Sequence, residues 1–272
     1  VVTVPDAVGI RVEEGRRIEN VDISPFIANI SKNIDAKHFS SRSAPPAASM
    51  AANIMEALEA GTSLLLFDDE TAVTSLMGRD ARLQALISKE FEPITPLVDI
   101  LPLLRDEHGI SSIIVGASGD YFDIADTVIA MKDFKPVVVT DEAKKIAKDN
   151  PSGRIIESTG HFPLPAGRCP LNWSLEPEKK KGSNRFRPHG RRYVQYGDEY
   201  IDVSKVTQLL NQSQSRAIAR GIAMVYKFMD SSQSLMDAVS KVMERVENVG
   251  IDVLSNRLMG DLASFRAHEL TA

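Results

Sequence analysis

Over its first 150 residues the chain alternates short apolar runs with amphipathic stretches. Val1–Val4 and Gly9–Val12 read as two short strands flanking Pro5-Asp6. Residues 21–27 (VDISPFI) lead into a polar loop that continues to about Ala48. Residues 49–60 place Met50, Ile54, Met55 and Leu58 on one side of a helix, and Gly61 ends it. The run Leu64-Leu65-Leu66-Phe67, between Gly61 and Asp68, is continuously apolar. That pattern predicts a strand buried on both faces of a parallel sheet. A helix is predicted from Thr95 to Glu107, opened by Thr95-Pro96 as cap and first-turn proline. Ser112–Val115 is a second buried strand, Thr127–Met131 a third and Val137–Val139 a fourth, with a capped helix at Asp141–Lys148. Strands alternating with helices predict a parallel sheet with right-handed crossovers.

The pattern changes after residue 150. Pro151, Pro163, Pro165, Pro170, Pro177 and Pro188 punctuate a stretch with few apolar runs. This reads as an extended connecting segment over 151–200. Residues 201–272 read as helical. One helix is predicted from near Asp202 or Ser204, with Val206, Leu209, Ala217, Ile218, Val225 and Phe228 inward. Another follows Ser231-Ser232, carries Leu235, Val239, Val242 and Val246, and ends at Gly250. Such stripes are core positions. The division expected is a domain over 1–150, a connecting segment over 151–200 and a helical region over 201–272.

Composition narrows the class. The 272 residues are 43% apolar and 25% charged, with 32 basic and 37 acidic side chains and a formal net charge of −5. These are ordinary values for a globular protein, and they exclude collagen-like, disordered and coiled-coil chains. No apolar run reaches the roughly 18 residues of a membrane helix. The single cysteine, Cys169, excludes an intrachain disulfide and an all-cysteine zinc site. The simplest compartment is a reducing, intracellular one. The chain opens on valine, without methionine or a basic leader, so the expectation is that a natural N-terminal part is missing. The five histidines form no HxxxH or HExxH spacing, which makes a zinc site unexpected.

The sharpest chemical feature is the apolar run of 64–67 ending in Asp68-Asp69-Glu70. Ligands in open α/β sheets bind at the carboxyl ends of the strands. A first carboxylate there can order Mg²⁺ through oxygen, and a second can polarise an attacking water. Asp after a buried strand is also a routine turn or helix-cap residue, so the pair alone leaves both readings open. A second feature is the strand of 113–115 followed by Gly116-Ala117-Ser118-Gly119-Asp120. Its small residues let backbone approach a phosphate closely.

Several longer stretches resemble the ABC-class ATPases, a group separate from the transporters. They are VDISPFI (21–27), AANIMEALEAGTSLLLFDDET (51–71), MGRDARLQALISKEFEPITPLVD (77–99), SGDYFDIADTVIAM (118–131), YGDEYIDVSKV (196–206), SQSRAIARGI (213–222) and KFMD (227–230). They cover most of the chain in order. The resemblance implies a P-loop NTPase fold of ABC class, a parallel sheet flanked by helices, followed by the basic connecting segment and the helical C-terminal region. It implies ATP and Mg²⁺ as cofactors and a homodimer, since each ABC-type site needs two subunits. Asp68 takes the position that orders Mg²⁺ through water. Asp69 takes the catalytic slot usually held by Glu, one methylene shorter, which implies slow turnover or binding without hydrolysis. Ala44, Pro45 and Pro46 occupy the place of the element that meets the opposite subunit's nucleotide, where two prolines lack an N–H to offer. Ser118, Gly119 and Asp120 occupy the switch position. No GxxxxGK[ST] sequence occurs in the 272 residues; in the family it lies upstream of the stretch that matches residue 1. One branch of the family works in trypanosomatid mitochondria as an accessory to uridine-insertion RNA editing, and the chain resembles that branch. This implies a mitochondrial location; without the branch, a cytoplasmic one is expected.

Between Lys179 and Arg192 stand seven basic residues and no acid: Lys179, Lys180, Lys181, Arg185, Arg187, Arg191 and Arg192. Phe186, Tyr193 and Tyr196 lie among or just after them. Basic charge engages a phosphate backbone, and aromatics stack exposed bases. A solvated loop is the other reading. The partners expected are therefore ATP, a second copy of the chain, and single-stranded RNA within an RNA-processing complex, with no membrane. The alternative function is an RNA-binding accessory or scaffold with a degenerate nucleotide site that does not hydrolyse.

Overall fold

The computed structural model describes residues 3–28, 34–176 and 186–271. In chain order the elements are β1 (Val8–Ile10), β2 (Ile18–Val21), β3 (Phe39–Ser41), α1 (Pro46–Glu59), β4 (Leu64–Asp68), α2 (Thr74–Met77), α3 (Ala81–Leu86), α4 (Leu97–His108), β5 (Ser111–Val115), β6 (Ile129–Lys132), β7 (Lys135–Val138) and α5 (Thr140–Asp149). Then come β8 (Phe186–His189), β9 (Tyr193–Tyr196), β10 (Glu199–Asp202), α6 (Gln212–Phe228), α7 (Leu235–Val249) and α8 (Ala267–Thr271). The chain divides into two compact units. The first is Val1–Leu58 with Thr62–Pro165, and the second is Ala166–Ala272 with Glu59–Gly61.

The first unit is built on a parallel sheet ordered β1-β4-β5. Val8 pairs with Leu65 and Ile10 with Phe67; on the other side Leu66 pairs with Ile113 and Asp68 with Val115. The middle strand is the apolar run, and Leu65 and Phe67 are buried as that pattern requires. Helices α1 and α4 contribute Met50, Ile54, Met55, Leu97, Ile100 and Leu104 to the same core. Helix α4 ends where Gly109 turns left-handed at φ 68°, a conformation that glycine adopts without a Cβ clash. Among the described residues, no helix is long and apolar enough to cross a membrane.

Four local expectations differ from the structure. The strand ending at Val115, expected to be buried, leaves Ile113 and Val115 43% and 64% exposed, because β5 is the outer strand of its sheet. The strands around 127–139 do not extend the parallel sheet. β6 and β7 pair with each other in antiparallel fashion, Ile129 opposite Val138. Only Asp133 and Phe134 link them, and a parallel pair needs a long crossover. Both linking residues have positive φ, 50° and 61°, the backbone signature of a type I′ hairpin turn. Of the strand expected at Val1–Val4, Val1 and Val2 lie outside the described residues and Thr3-Val4 is not strand, so the first described strand is Val8–Ile10. The helix expected from Asp202 or Ser204 begins at Gln212, because Asn211 and Gln214 form a reciprocal capping box there.

The second unit is an antiparallel sheet ordered β10-β9-β8 with helices α6 and α7. Its core holds Val194, Ala217, Ile218, Val239 and Val242. Gly221 lies within α6, where an added Cβ would come 2.9 Å from Leu270 Cδ1 and 3.3 Å from Phe265 Cζ. Its missing side chain lets the 265–270 segment close onto the helix, which offsets the helix propensity that glycine sacrifices. The stretch of few apolar runs thus ends in a small sheet. Phe186, Val194 and Ile201 pack inward while Arg187, Tyr193 and Tyr200 are exposed, so the apolar signal per strand is weak.

Candidate functional site

In the first unit, β4 and β5 end side by side, and their tips gather the acidic and glycine-rich residues. Asp68 is the last residue of β4, opposite Val115. Its Oδ1 accepts the Glu70 N–H at 3.1 Å, and its carbonyl accepts from the Thr71 N–H and hydroxyl. Asp69 donates its N–H to the Val115 carbonyl at 3.0 Å, carrying the ladder one step past the strand. The Asp69 side chain turns toward the neighbouring loop, and Oδ2 accepts the Ala117 N–H at 3.0 Å. Gly116 makes room for it: a Cβ there would stand 2.9 Å from Asp69 Oδ2. Asp69, Glu70, Val115, Gly116 and Ala117 line a shallow open depression.

The polar turn continues from this depression. Ser118 caps a short 3-10 turn over Gly119–Asp123, its Oγ accepting the Asp120 N–H at 3.3 Å. Asp120 Oδ2 lies 3.8 Å from where Gly78 would carry a Cβ. Tyr121 donates its hydroxyl to the Met77 carbonyl at 2.7 Å, and burial pushes its phenol pKa well above the usual tyrosine value. The turn is thus tied to the residues that follow the carboxylates. Sequence reasoning placed Ser118, Gly119 and Asp120 here but missed Gly116 as the partner of Asp69 and Tyr121 as the anchor. A tyrosine directly after the small-residue turn was the available signal.

Ala44, Pro45 and Pro46 are fixed elsewhere. Ala44 donates to the Arg16 carbonyl and accepts from the Gly15 N–H, both at 2.9 Å. Pro45 and Pro46 offer carbonyls that accept from the Ser49 N–H and Ser49 Oγ at 2.9 and 2.8 Å. Three residues further, the start of α1 does approach the carboxylate loop: Ser49 Oγ accepts the Glu13 N–H, Val12 donates to the Thr71 carbonyl, and the Val73 N–H points to Met50 S at 3.4 Å. The geometry therefore gathers Asp68, Asp69 and Ser118–Asp120, and connects Ala44 to residues 15–16 and Pro45-Pro46 to Ser49 instead.

The stretch after the carboxylates supplies a buried charge network that sequence reasoning did not foresee. Arg79, 6% exposed, donates to Glu157 Oε1 at 2.5 Å and to the carbonyls of Leu83 and Ile87. Arg154 donates from both Nη1 and Nη2 to Asp99 Oδ1 at 3.1 Å and from Nε to the Arg79 carbonyl at 2.5 Å. The Glu157 N–H reaches Asp99 Oδ2 at 2.9 Å. Lys89 donates to the Ile94 carbonyl, and its pKa is lowered by burial. Asp80, next to Arg79, caps α3 through the Leu83 N–H. These bonds hold residues 154–157 against α3 and α4, and Phe162 then enters the core edge-on to Phe26 at 5.7 Å.

In the second unit, three of the seven basic residues lie on the β8–β10 sheet or in its first turn. Arg187 lies on β8, and Arg191 and Arg192 in the β8–β9 turn. Lys179, Lys180, Lys181 and Arg185 fall outside the described residues. Strand alternation sorts the aromatics. Phe186 and Tyr196 are paired neighbours 5.1 Å apart, and both turn inward. The Tyr196 hydroxyl donates to the Leu175 carbonyl at 2.7 Å, and burial pushes its pKa up to about 12. Tyr193 and Tyr200 face outward, 42% and 57% exposed. Tyr200 lies outside the basic run, and sequence reasoning did not single it out.

Among the described residues, no group of three or more His, Cys, Asp or Glu could hold a metal ion by itself. Asp68 still suits Mg²⁺. It is an exposed carboxylate at a strand tip, with Oδ1 engaged by a single N–H, and a hard cation that keeps its waters needs only one or two such ligands.

Two families match this chain. The ABC_ATPase P-loop domain matches residues 1–164, and the MRB1590 C-terminal domain matches residues 185–272. No curated protein gives a match.

Proposed function

Since its residues 1–164 match that P-loop domain and 185–272 the second, the chain belongs to the ABC-class P-loop ATPases, in the MRB1590 branch, and we propose that it couples slow ATP hydrolysis to work on RNA. The P-loop domain implies nucleotide binding. The observation that carries the nucleotide site is the convergence of Asp68, Asp69 and the 116–120 turn at the ends of β4 and β5. Bound Mg²⁺ would supply positive charge against the phosphates. Asp68 is the residue that would hold it, through water. Asp69 orients the attacking water with a carboxylate that the Ala117 N–H and Gly116 keep in place. Ser118, Gly119 and Asp120 line the phosphate side of the same turn.

The RNA half of this reading rests on the basic residues of the second unit, Lys179–Lys181, Arg185, Arg187, Arg191 and Arg192. By resemblance to the editing branch, the RNA is a mitochondrial editing substrate, and nucleotide state controls how the protein holds it. A homodimer completes each nucleotide site. The second reading, nucleotide binding without turnover, is favoured by one observation: the Ala44 N–H is already bonded to Arg16 and Pro45-Pro46 have none, so that loop has no donor to spare.

Thermal unfolding of the full-length protein with and without Mg-ATP tests the nucleotide site. Saturation at about 100 times Kd stabilises the folded state by about 2.7 kcal/mol. An unchanged unfolding curve at millimolar Mg-ATP contradicts the proposal.

A further inference from the structure

We propose that the outward face of the β8–β9–β10 sheet is a stacking platform for single-stranded RNA, with Tyr193 and Tyr200 as the base-stacking rings and Arg187 and Arg192 as phosphate contacts. The inference rests on the RNA reading above and gives it a surface. The register defines the face. Arg187 pairs with Gln195, which pairs with Tyr200; His189 pairs with Tyr193, which pairs with Asp202. These six residues alternate with Phe186, Pro188, Val194, Tyr196, Glu199 and Ile201, so they share the opposite side of the sheet. Val194 is fully buried in the core with Phe186 and Ile201 packed against it, which fixes the outward sense of the first set.

The exposed side is built for flat rings. His189 meets Tyr200 edge-on at 5.1 Å, which holds the tyrosine ring and leaves it more than half exposed. Beneath them Gln195 is buried, its Nε2 donating to the Gly197 carbonyl at 3.0 Å, so it props the face without offering its own amide. Among the described residues, Arg187 and Arg192 have no ion-pair or side-chain hydrogen-bond partner. Asp202 is the one acid on the face, and its Oδ1 is taken by the Ser204 N–H. From 186 to 192 there are three arginines, one histidine and no acid, in a chain of net charge −5. Cationic side chains around exposed rings fit a ligand with phosphates and unstacked bases, whereas a duplex hides its base faces.

The test is fluorescence anisotropy of the full-length protein, without nucleotide, against a short labelled RNA that forms no secondary structure. Tyr193→Ala and Tyr200→Ala are each expected to weaken binding roughly 10-fold, with the salt dependence unchanged. Tyr200→Phe keeps the ring and stays within about 2-fold of the wild type, which separates stacking from damage to the fold. Arg187→Ala lowers the slope of log K against log salt by about 0.7. The same sequence as a duplex binds more weakly. If both alanine variants bind RNA as the wild type does, the platform is wrong and RNA binding lies elsewhere on the protein. If the wild type binds no RNA, the platform and the RNA reading fall together, and the nucleotide site still answers to Mg-ATP alone.

Discussion

The two three-stranded sheets of this protein present chemistry in different places. In the first unit, the middle strand β4 buries Leu64, Leu65 and Phe67 and exposes its carboxyl tip, where Asp68 and Asp69 stand beside the end of β5. In the second unit, β9 turns Val194 and Tyr196 toward the core and leaves Tyr193 exposed on the other face, so the functional candidates lie across the strands. A parallel sheet covered by helices has its tips to offer; an antiparallel sheet with one solvated face has an area. A tip suits a small, highly charged ligand, and an area suits an extended polymer.

The largest effect that would sharpen this contrast lies in the buried charge network of the first unit. Arg154→Met leaves Asp99 buried without its guanidinium and is expected to cost about 3–5 kcal/mol in denaturant unfolding. Tyr200→Ala on the open face is expected to change stability by about 0.5 kcal/mol or less. Equal losses would erase the distinction. Next in size is Gly116→Ala, which pushes a methyl to 2.9 Å from Asp69 Oδ2. A displacement of about 1 Å in that carboxylate lowers ATP turnover roughly 10²-fold while the unfolding midpoint barely moves. Unchanged turnover would mean that the Asp69–Ala117 bond has no part in the reaction.

The smallest effect is a pH dependence shared by both units. Tyr121 in the first and Tyr196 in the second hold their protons above the ordinary tyrosine value, because burial disfavours phenolate. An unfolded tyrosine ionises near pH 10. Above that pH the unfolded chain loses protons that the folded chain keeps, so stability is full below pH 10 and declines from there through about pH 12. Tyr121→Phe flattens that decline. It also removes the hydroxyl bond to Met77, worth about 1 kcal/mol at neutral pH, so the slopes are the quantities to compare.

What was legible in the sequence follows the same division. Leu64–Phe67 reads as a buried strand because both faces are apolar, and the carboxylates after it read as a tip. The 116–120 turn was legible as small residues after a strand. The bond from Ala117 to Asp69 was not, since backbone donors carry no residue signature. The hairpin of β6 and β7 was missed as a hairpin because Asp133-Phe134 lacks the glycine that usually marks a type I′ turn. In β8–β10 each strand shows only alternate apolar positions over four residues, and Pro188 further masks β8. Tyr193 and Tyr196 were equal candidates in the chain. Only the register separates the outward ring from the inward one. The buried network was not legible because Arg79 stands 78 residues from Glu157 and Asp99 stands 55 from Arg154, and each looks like a surface charge singly.

The central claim is that the tip of β4 serves ATP. Its most direct test is steady-state ATP turnover in the full-length protein, wild type beside Asp68→Asn. That substitution keeps the shape and removes the charge that would order Mg²⁺. The account predicts slow turnover in the wild type and a loss of roughly 10²-fold or more in the variant. Equal turnover in the two proteins would contradict it.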